Sequence, residues 1–411
     1  MTERSLPPCR LCGGNGLRPF LDLGVTPLSD RILDARKQAE PELVFPLEVA
    51  FCEDCALVQI IEEVPPSILY GDDYPYYSSF SDHLLQHSRE NALGLIESQK
   101  LGPGSLVVEL ASNDGYLLKN FAELGIAVLG IDPADGPAKT AIAAGIPTLV
   151  EFWGRELAAK LRSDGKQADV IIANNVMAHI PDLNGFVAGM RTLITDDGVI
   201  SIENPYVRDL IDHNEFDTIY HEHHCYFSCT AVDRLMRRNG LFLNDVVYFP
   251  NLHGGTLRWI CGATEKVSER AAGYLRAEKE SGLDTYAYYE SFSQKVVKLR
   301  SELLALLRDL KAQGASIAGY GAAAKASTLI NYVGIGSDLV DFVVDRNVHK
   351  HGCLMPGGQL PILSPSELLV RKPDYTILFA WNLVDEIAGQ QSEYLAGGGR
   401  FIVPVPTPRI L

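Results

Sequence analysis

The sequence predicts an α/β protein in three parts, on three observations. Two C-x-x-C pairs fall within the first 60 residues, strand-like and helix-like runs alternate without a break from about 84 to 204, and the same style returns after 315. The reading is an N-terminal four-cysteine zinc-binding domain (1–75), a central Rossmann-like α/β domain (76–265), a helical linker (266–314) and a smaller C-terminal Rossmann-like α/β domain (315–411). A chain of 411 residues accommodates this, at roughly 100 to 200 residues per domain.

Composition narrows the class. With 46% hydrophobic and 21% charged residues the chain reads as a soluble globular protein. Its formal net charge of −16 argues against nucleic acid or an anionic membrane as the main partner, since both demand a basic surface. No charged-then-apolar leader opens the sequence, and no apolar run approaches the roughly 18 residues that span a bilayer. A cytoplasmic protein is expected. The oligomeric state stays open, a monomer included.

A reducing compartment disfavours disulfides, so eight cysteines need another use. Cys9 and Cys12 form "CRLC", and Cys52 and Cys55 form "CEDC". Each pair presents two thiolates from one tight turn, and two such knuckles complete a tetrahedral, structural zinc site. The competing readings are redox thiols, which lack a thioredoxin-like βαβ context, and a nucleic-acid zinc ribbon, which the acidic chain disfavours.

In the central part, a helix over 84–100 leads into "SLVVEL" (105–110), followed by a helix (115–124), "AVLGID" (127–132), a helix (137–144), "PTLV" (147–150), a helix (154–162), "ADVIIANN" (168–175), a helix (183–193) and "GVISIEN" (198–204). Strands apolar throughout belong to a parallel sheet covered on both faces, whose ligand lies at the carboxyl ends of the strands. A helix (229–239), two hairpin-spaced strands ("LFLNDVVYF", "GGTLRWICG"), a helix-rich stretch (268–314) and strands starting at 316, 338, 375 and 400 follow.

The turn "ELASNDG" ends strand one at Glu109 and opens the next helix at Gly115. Asp132 ends the following strand, where an acidic side chain accepts the hydroxyl protons of a ribose. A pyrophosphate needs bare backbone from several glycines, but this turn has one glycine, preceded by Ala111, Ser112, Asn113 and Asp114. A ribose ligand without phosphate fits better. S-adenosylmethionine (SAM) is such a ligand, ahead of a nicotinamide or flavin cofactor. Asn174 and Asn175, at the end of strand four in "NNVMAHI", add polar contacts, and His179 would lie over the reacting side.

"TIYHEHHCYFS" (218–228) is the densest chemical cluster. If extended, it would put Tyr220, Glu222 and His224 on one face and His221 and His223 on the other, an alternation that a turn would break. A second metal site and a merely polar surface are alternatives. Acid and base catalysis is the preferred reading, because histidine titrates near neutral pH and a neighbouring carboxylate can orient it.

"CRLC…CEDC", "YPYYSSFS", "ELASNDGYLL", "YHEHHCYFS" and "GYGAAAKASTLINY", in that order, resemble the SAM-dependent C-methyltransferases that act on nucleotide-linked 4-keto deoxysugars in antibiotic pathways. The resemblance covers nearly the whole chain. It implies a zinc domain, a central class I SAM methyltransferase domain and a C-terminal Rossmann-like domain, with a small-molecule nucleotide sugar between them. It makes His223 the general base, with Tyr220 and Glu222 beside it and His179 and Tyr74 as further contributors. Tyr77, of the same motif as Tyr74, belongs with the substrate. The chain departs at His224 and Cys225, positions that vary in that family, which leaves the sugar's identity open.

Lys325, in "GYGAAAKAS", follows a strand and opens a helix, where it could add a cation to backbone N–H groups that favour phosphate; a solvated helix lysine is the alternative. Arg346, His349 and Lys350 follow the next strand and could form a basic rim for the same nucleotide.

Overall fold

Three main sheets organise the computed structural model, which describes residues 6–34, 41–69, 77–80 and 82–411. In the N-terminal part, strands β1 (Leu17–Pro27), β3 (Val44–Cys52) and β4 (Val58–Ile60) pair antiparallel, with Leu17 opposite Cys52 and Phe51 opposite Val58. The short strand β2 (Leu33–Asp34) lies apart from that sheet. The β1–β3–β4 pairing brings the CRLC knuckle over the CEDC turn. The 39 residues between the knuckles, which a compact zinc ribbon would not need, supply β1 and most of β3.

The central sheet has seven strands: β5 (Leu106–Leu110), β6 (Ala127–Ile131), β7 (Thr148–Leu149), β8 (Ala168–Asn174), β9 (Ile194–Pro205), β11 (Phe242–Phe249) and β12 (Thr256–Gly262), with the two-residue β10 (Cys225–Tyr226) set apart. Their order is β11-β12-β9-β8-β5-β6-β7; the first five in the chain run parallel and β12 runs antiparallel to both neighbours. Val107, Val108, Ile171, Ile172 and Ala173 are all fully buried, as strands covered on both faces require. The order reverses between β5 and β8, the switch point where such sheets open a ligand crevice.

One helix departs from expectation. The run over 115–124 is helical only at Lys119–Ala122, because Ala111, Asn113 and Gly115 all take left-handed φ values of 55°, 49° and 77°. Left-handed residues cannot start a right-handed helix, so the turn consumes what the pattern reads as its first residues.

Helices over Glu269–Ser281, Tyr286–Tyr289 and Phe292–Ala312 fill the linker. The last sheet, β13 (Ile317–Tyr320), β14 (Val343–Val344), β16 (Ile362–Leu363), β17 (Tyr375–Leu378), β18 (Arg400–Val403) and β19 (Arg409–Ile410), is parallel except at its β19 edge, and β15 (Cys353–Leu354) pairs instead with β2. That pairing ties the two ends of the chain together.

Candidate active site

The four cysteine sulfurs converge within 4.8 Å of one another, with Cys9 to Cys55 at 3.5 Å and Cys12 to Cys52 at 3.7 Å. Sulfurs on a zinc tetrahedron with bonds of about 2.3 Å lie about 3.8 Å apart, so these side chains fit the ion as they stand. The crowded thiols push one another apart, Cys52 down and Cys9 and Cys55 up, and a cation among them would favour the thiolate form. Among the described residues this is the one His, Cys, Asp or Glu group whose ligand atoms converge; the side chains of the 218–228 cluster are not gathered in this way.

At the switch point the structure opens a cavity of about 340 Å³, a suitable size for a cofactor. Ala111, Asn113, Asp132, Asn174, Asn175 and His179 line it, as the sequence suggests. Tyr116 of ELASNDGYLL and Ile180 of NNVMAHI complete an apolar wall with Phe152 and Trp153, two aromatics just before the helix at 155 that belong to no motif. Asp132 accepts hydrogen bonds from the Asn113 N–H (2.8 Å) and the Ala134 N–H (2.8 Å), which aim its carboxylate at the cavity floor.

Glu109, Ser112, Asp114 and Gly115 are brought to the turn but stand behind this lining. Glu109 is 1% exposed, and burial followed by the Asp132 and Asp114 charges pushes it well above the usual carboxylate range. Asp114 instead accepts from the Ser79 N–H at 3.2 Å, and Asn113 from the Ser78 N–H at 2.9 Å, so the 77–80 segment lies across the turn. The Tyr77 hydroxyl belongs to the same rim, 3.0 Å from where a Cβ on Gly136 would sit. Tyr74 lies outside the described residues.

The histidine cluster is built as a turn. The His223 N–H donates to the Tyr220 carbonyl (3.0 Å), so extended alternation is lost and Tyr220 and His223 face each other, their rings 4.0 Å apart. His223 Nδ1 lies 3.0 Å from the Thr218 carbonyl, which accepts only, so Nδ1 carries the proton and Nε2 keeps its lone pair. The Tyr220 hydroxyl donates to that Nε2 at 2.9 Å. Burial, then His179, lowers His223 well below its ordinary value, and burial brings His179 down to about 4; both are neutral bases at pH 7. Their rings lie 4.8 Å apart. His179 therefore lies both in the wall of the cavity and against the 218–228 turn.

The zinc domain grips this turn. β10 pairs with β4, the Ile60 N–H donates to the His224 carbonyl (3.0 Å), and His221 Nε2 meets the Pro46 carbonyl at 3.1 Å. Glu222 accepts from the Asp30 N–H (3.3 Å), and burial followed by the Asp30 carboxylate pushes it up to about 8. Asp30 carries no motif, and sequence reasoning missed it. His224 is fully buried between the domains, held near 3 by burial and then by Arg10, and makes no hydrogen bond with its ring.

On the C-terminal side, Lys325 Nζ donates to Asn382 (2.7 Å) and lies 4.7 Å over the Trp381 ring; burial lowers its pKa while Asp217 and Glu215 oppose the shift. Lys350 Nζ donates to the Ala322 carbonyl (2.7 Å) in the same turn, whereas Arg346 and His349 are exposed and Arg346 pairs with Glu386. The structure thus brings Lys325 and Lys350 to the turn and leaves the other two at its rim.

Three family models match in series: a zinc binding domain over residues 9–70, a methyltransferase domain over 79–244 and a C-methyltransferase C-terminal domain over 251–406. The C-methyltransferase NovU of Streptomyces niveus is 34% identical over 99% of this chain and 97% of its own length. Among solved structures, the magnesium protoporphyrin IX methyltransferase of Synechocystis aligns at 15% identity over 44% of this chain and 83% of its own, with a TM-score of 0.36. A SAM-dependent methyltransferase of Clostridium acetobutylicum aligns at 11% over 45% and 92%, also at 0.36. With a SAM-sized cavity at the switch point and a four-cysteine zinc centre, the chain belongs to the C-methyltransferase family, as a SAM-dependent enzyme.

Proposed function

We propose that the enzyme methylates the carbon next to the ketone of a nucleotide-linked, dTDP-type 4-keto deoxysugar. The carrying observation is the shared position of His179, in the wall of the cofactor cavity and 4.8 Å from the His223 ring. A base beside the methyl donor suits an acceptor carbon that must first lose a proton. Bound SAM supplies an electrophilic methyl group on a sulfonium.

The chain's own residues do the rest. Thr218 fixes the His223 tautomer, leaving Nε2 to take the proton once the acceptor displaces the Tyr220 hydroxyl. The electrons of the broken C–H bond pass into the carbonyl as an enolate. Tyr220, freed from Nε2, and Glu222, kept in its acid form below about 8, are available to donate to the acceptor's oxygens. The enolate carbon would take the methyl group from SAM held by the cavity that Asp132, Asn174 and Asn175 line, and the pair of the broken C–S bond would stay on sulfur. Lys325 and Lys350, with Arg346 and His349 at the rim of their turn, and Tyr77 beside Gly136 are assigned to the nucleotide portion. We place the enzyme in the cytoplasm, because its eight free cysteines suit a reducing compartment.

The test is deuterium wash-in. A dTDP-linked 4-keto-6-deoxyhexose is incubated in D2O with enzyme and no SAM, and the carbon next to the ketone is followed by NMR. Wild type should exchange and His223→Asn should not. Equal exchange by the two would remove His223 as the base, and no exchange by wild type would point to O- or N-methylation.

A further inference from the structure

His253 is absent from every motif singled out in the sequence, yet its setting is that of a working group. It lies in the β11–β12 turn, "NLHGG", at the carboxyl end of β9: the Tyr206 N–H donates to the Gly255 carbonyl at 2.9 Å and Thr256 pairs with Pro205. Three consecutive residues are left-handed, His253 at φ 53°, Gly254 at 91° and Gly255 at 131°. The two glycines are held from behind. A Cβ on Gly254 would stand 2.5 Å from a Glu215 carboxylate oxygen, and one on Gly255 2.0 Å from an Asp209 oxygen. The turn has no slack, and a non-glycine residue is kept in a sparsely populated conformation at its tip.

That tip aims an unused nitrogen inward. His253 Nε2 is enclosed and has no hydrogen-bond partner, whereas His223 Nε2 is engaged by Tyr220 and Lys325 Nζ by Asn382. A buried polar atom without a partner is costly, so it is retained where something else completes it. Its neighbourhood says what. His253 depresses the pKa of His223, and is itself brought down to about 4 by burial and then by Lys325, with His87 and His83 acting the same way and Glu203 opposing. Gly254 beside it packs on Glu215, whose carbonyl accepts from the Thr218 N–H (3.1 Å), and the Thr218 carbonyl holds His223 Nδ1 (3.0 Å), so the turn that carries His253 backs onto the turn that carries His223; His253 is neutral at pH 7. Glu203 is spoken for, by His87 at 2.9 Å and by Arg258.

Building on the keto-sugar reading, we infer that His253 is a further catalytic residue, whose Nε2–H donates a hydrogen bond to the ketone oxygen of the acceptor as it becomes an enolate. Proton removal by His223 leaves a full negative charge on that oxygen. A fixed neutral donor stabilises it without a second proton transfer, and the buried charge of Lys325 adds a favourable field. No bond to His253 is made or broken.

The variant pair is His253→Gly, which removes the imidazole but tolerates the left-handed backbone, and His253→Asn, which tolerates it and keeps a shorter donor. Each is assayed for deuterium wash-in next to the ketone of the dTDP-linked 4-keto-6-deoxyhexose without SAM, and for SAM affinity by calorimetry. His253→Gly should exchange about 100-fold or more slowly than wild type with SAM affinity unchanged, and His253→Asn should recover part of the rate. Wild-type exchange by His253→Gly overturns the assignment while leaving the keto-sugar reading intact. A parallel loss of SAM binding makes His253 a structural residue and overturns it too. Absence of exchange in wild type removes the reading and this role together.

Discussion

Two turns in this molecule are built alike and do different things. In the central domain, the Asn113 N–H donates to Asp132 at the end of the next strand (2.8 Å); in the C-terminal domain, the Ala322 N–H donates to Asp345 at the equivalent strand end (2.7 Å). Both turns use left-handed residues, Ala111, Asn113 and Gly115 in one and Gly321 in the other. The first opens onto the cofactor cavity between apolar walls. The second is stitched to the rest of the chain: Lys350 bonds the Ala322 carbonyl, Ser327 Oγ donates to the Ser29 carbonyl (2.9 Å), Thr328 Oγ1 donates to the Ile219 carbonyl (2.8 Å), and the Trp381 indole donates to Asp217 (2.7 Å). A strand, a left-handed turn and an acid describe a local geometry. What packs against that geometry decides whether it opens onto a cavity or braces the histidine loop.

The largest effect should come from the third party to that loop, the zinc domain. Cys52→Ser should lose zinc by metal analysis, lower the melting temperature and abolish methyl transfer, because β4 follows directly from this knuckle and carries β10. Full turnover without zinc would show that the loop is held by the C-terminal turn alone. Next is His223→Asn, expected to reduce methyl transfer about 10²- to 10⁴-fold with SAM affinity unchanged in calorimetry. Weakened SAM binding in that variant would blur the division between the turn that holds and the loop that reacts.

A matched pair sharpens the comparison directly. Asp132→Asn should weaken SAM binding roughly 10- to 100-fold, through loss of a charged acceptor worth about 1.5–3 kcal/mol, while Asp345→Asn should leave SAM affinity alone and cost about 1 kcal/mol of stability in denaturant titration. Equal effects on SAM would dissolve the distinction between the turns. The smallest effect is in the pH profile of exchange. A base whose pKa is depressed stays unprotonated as pH falls through 6.5, so the rate should hold there and drop only at lower pH. Above about 8, Glu222 loses its proton and the rate should decline. A drop centred on 6.5 would mean that His223 is solvated.

Legibility followed locality. The cysteine pairs, the parallel strands and Asp132 were readable because each depends on its own few residues: thiol spacing, unbroken apolar runs, an acid at a strand end. The histidine cluster was visible as chemistry but not as shape. Whether Tyr220 and His223 share a side depends on a turn held open by Pro46, Ile60 and Asp30, which lie far off in sequence. Phe152 and Trp153 were missed for a related reason, since aromatic residues before a helix read as core. Lys325 was recognisable as a cation at a turn, but its acidic neighbours Asp217 and Glu215 come from another domain. Ala111 and Asn113 hid a three-position left-handed turn behind a single glycine. Asparagine adopts that conformation readily, while alanine pays about 1–2 kcal/mol, which the surrounding structure must offset.

The central claim is that a carbon next to a ketone receives the methyl group. The direct measurement uses SAM labelled with ¹³C in the methyl group and a dTDP-linked 4-keto deoxysugar, with the product examined by NMR. The expected product carries the labelled methyl coupled to ring carbon, next to the intact ketone. A label attached to oxygen or nitrogen would contradict it.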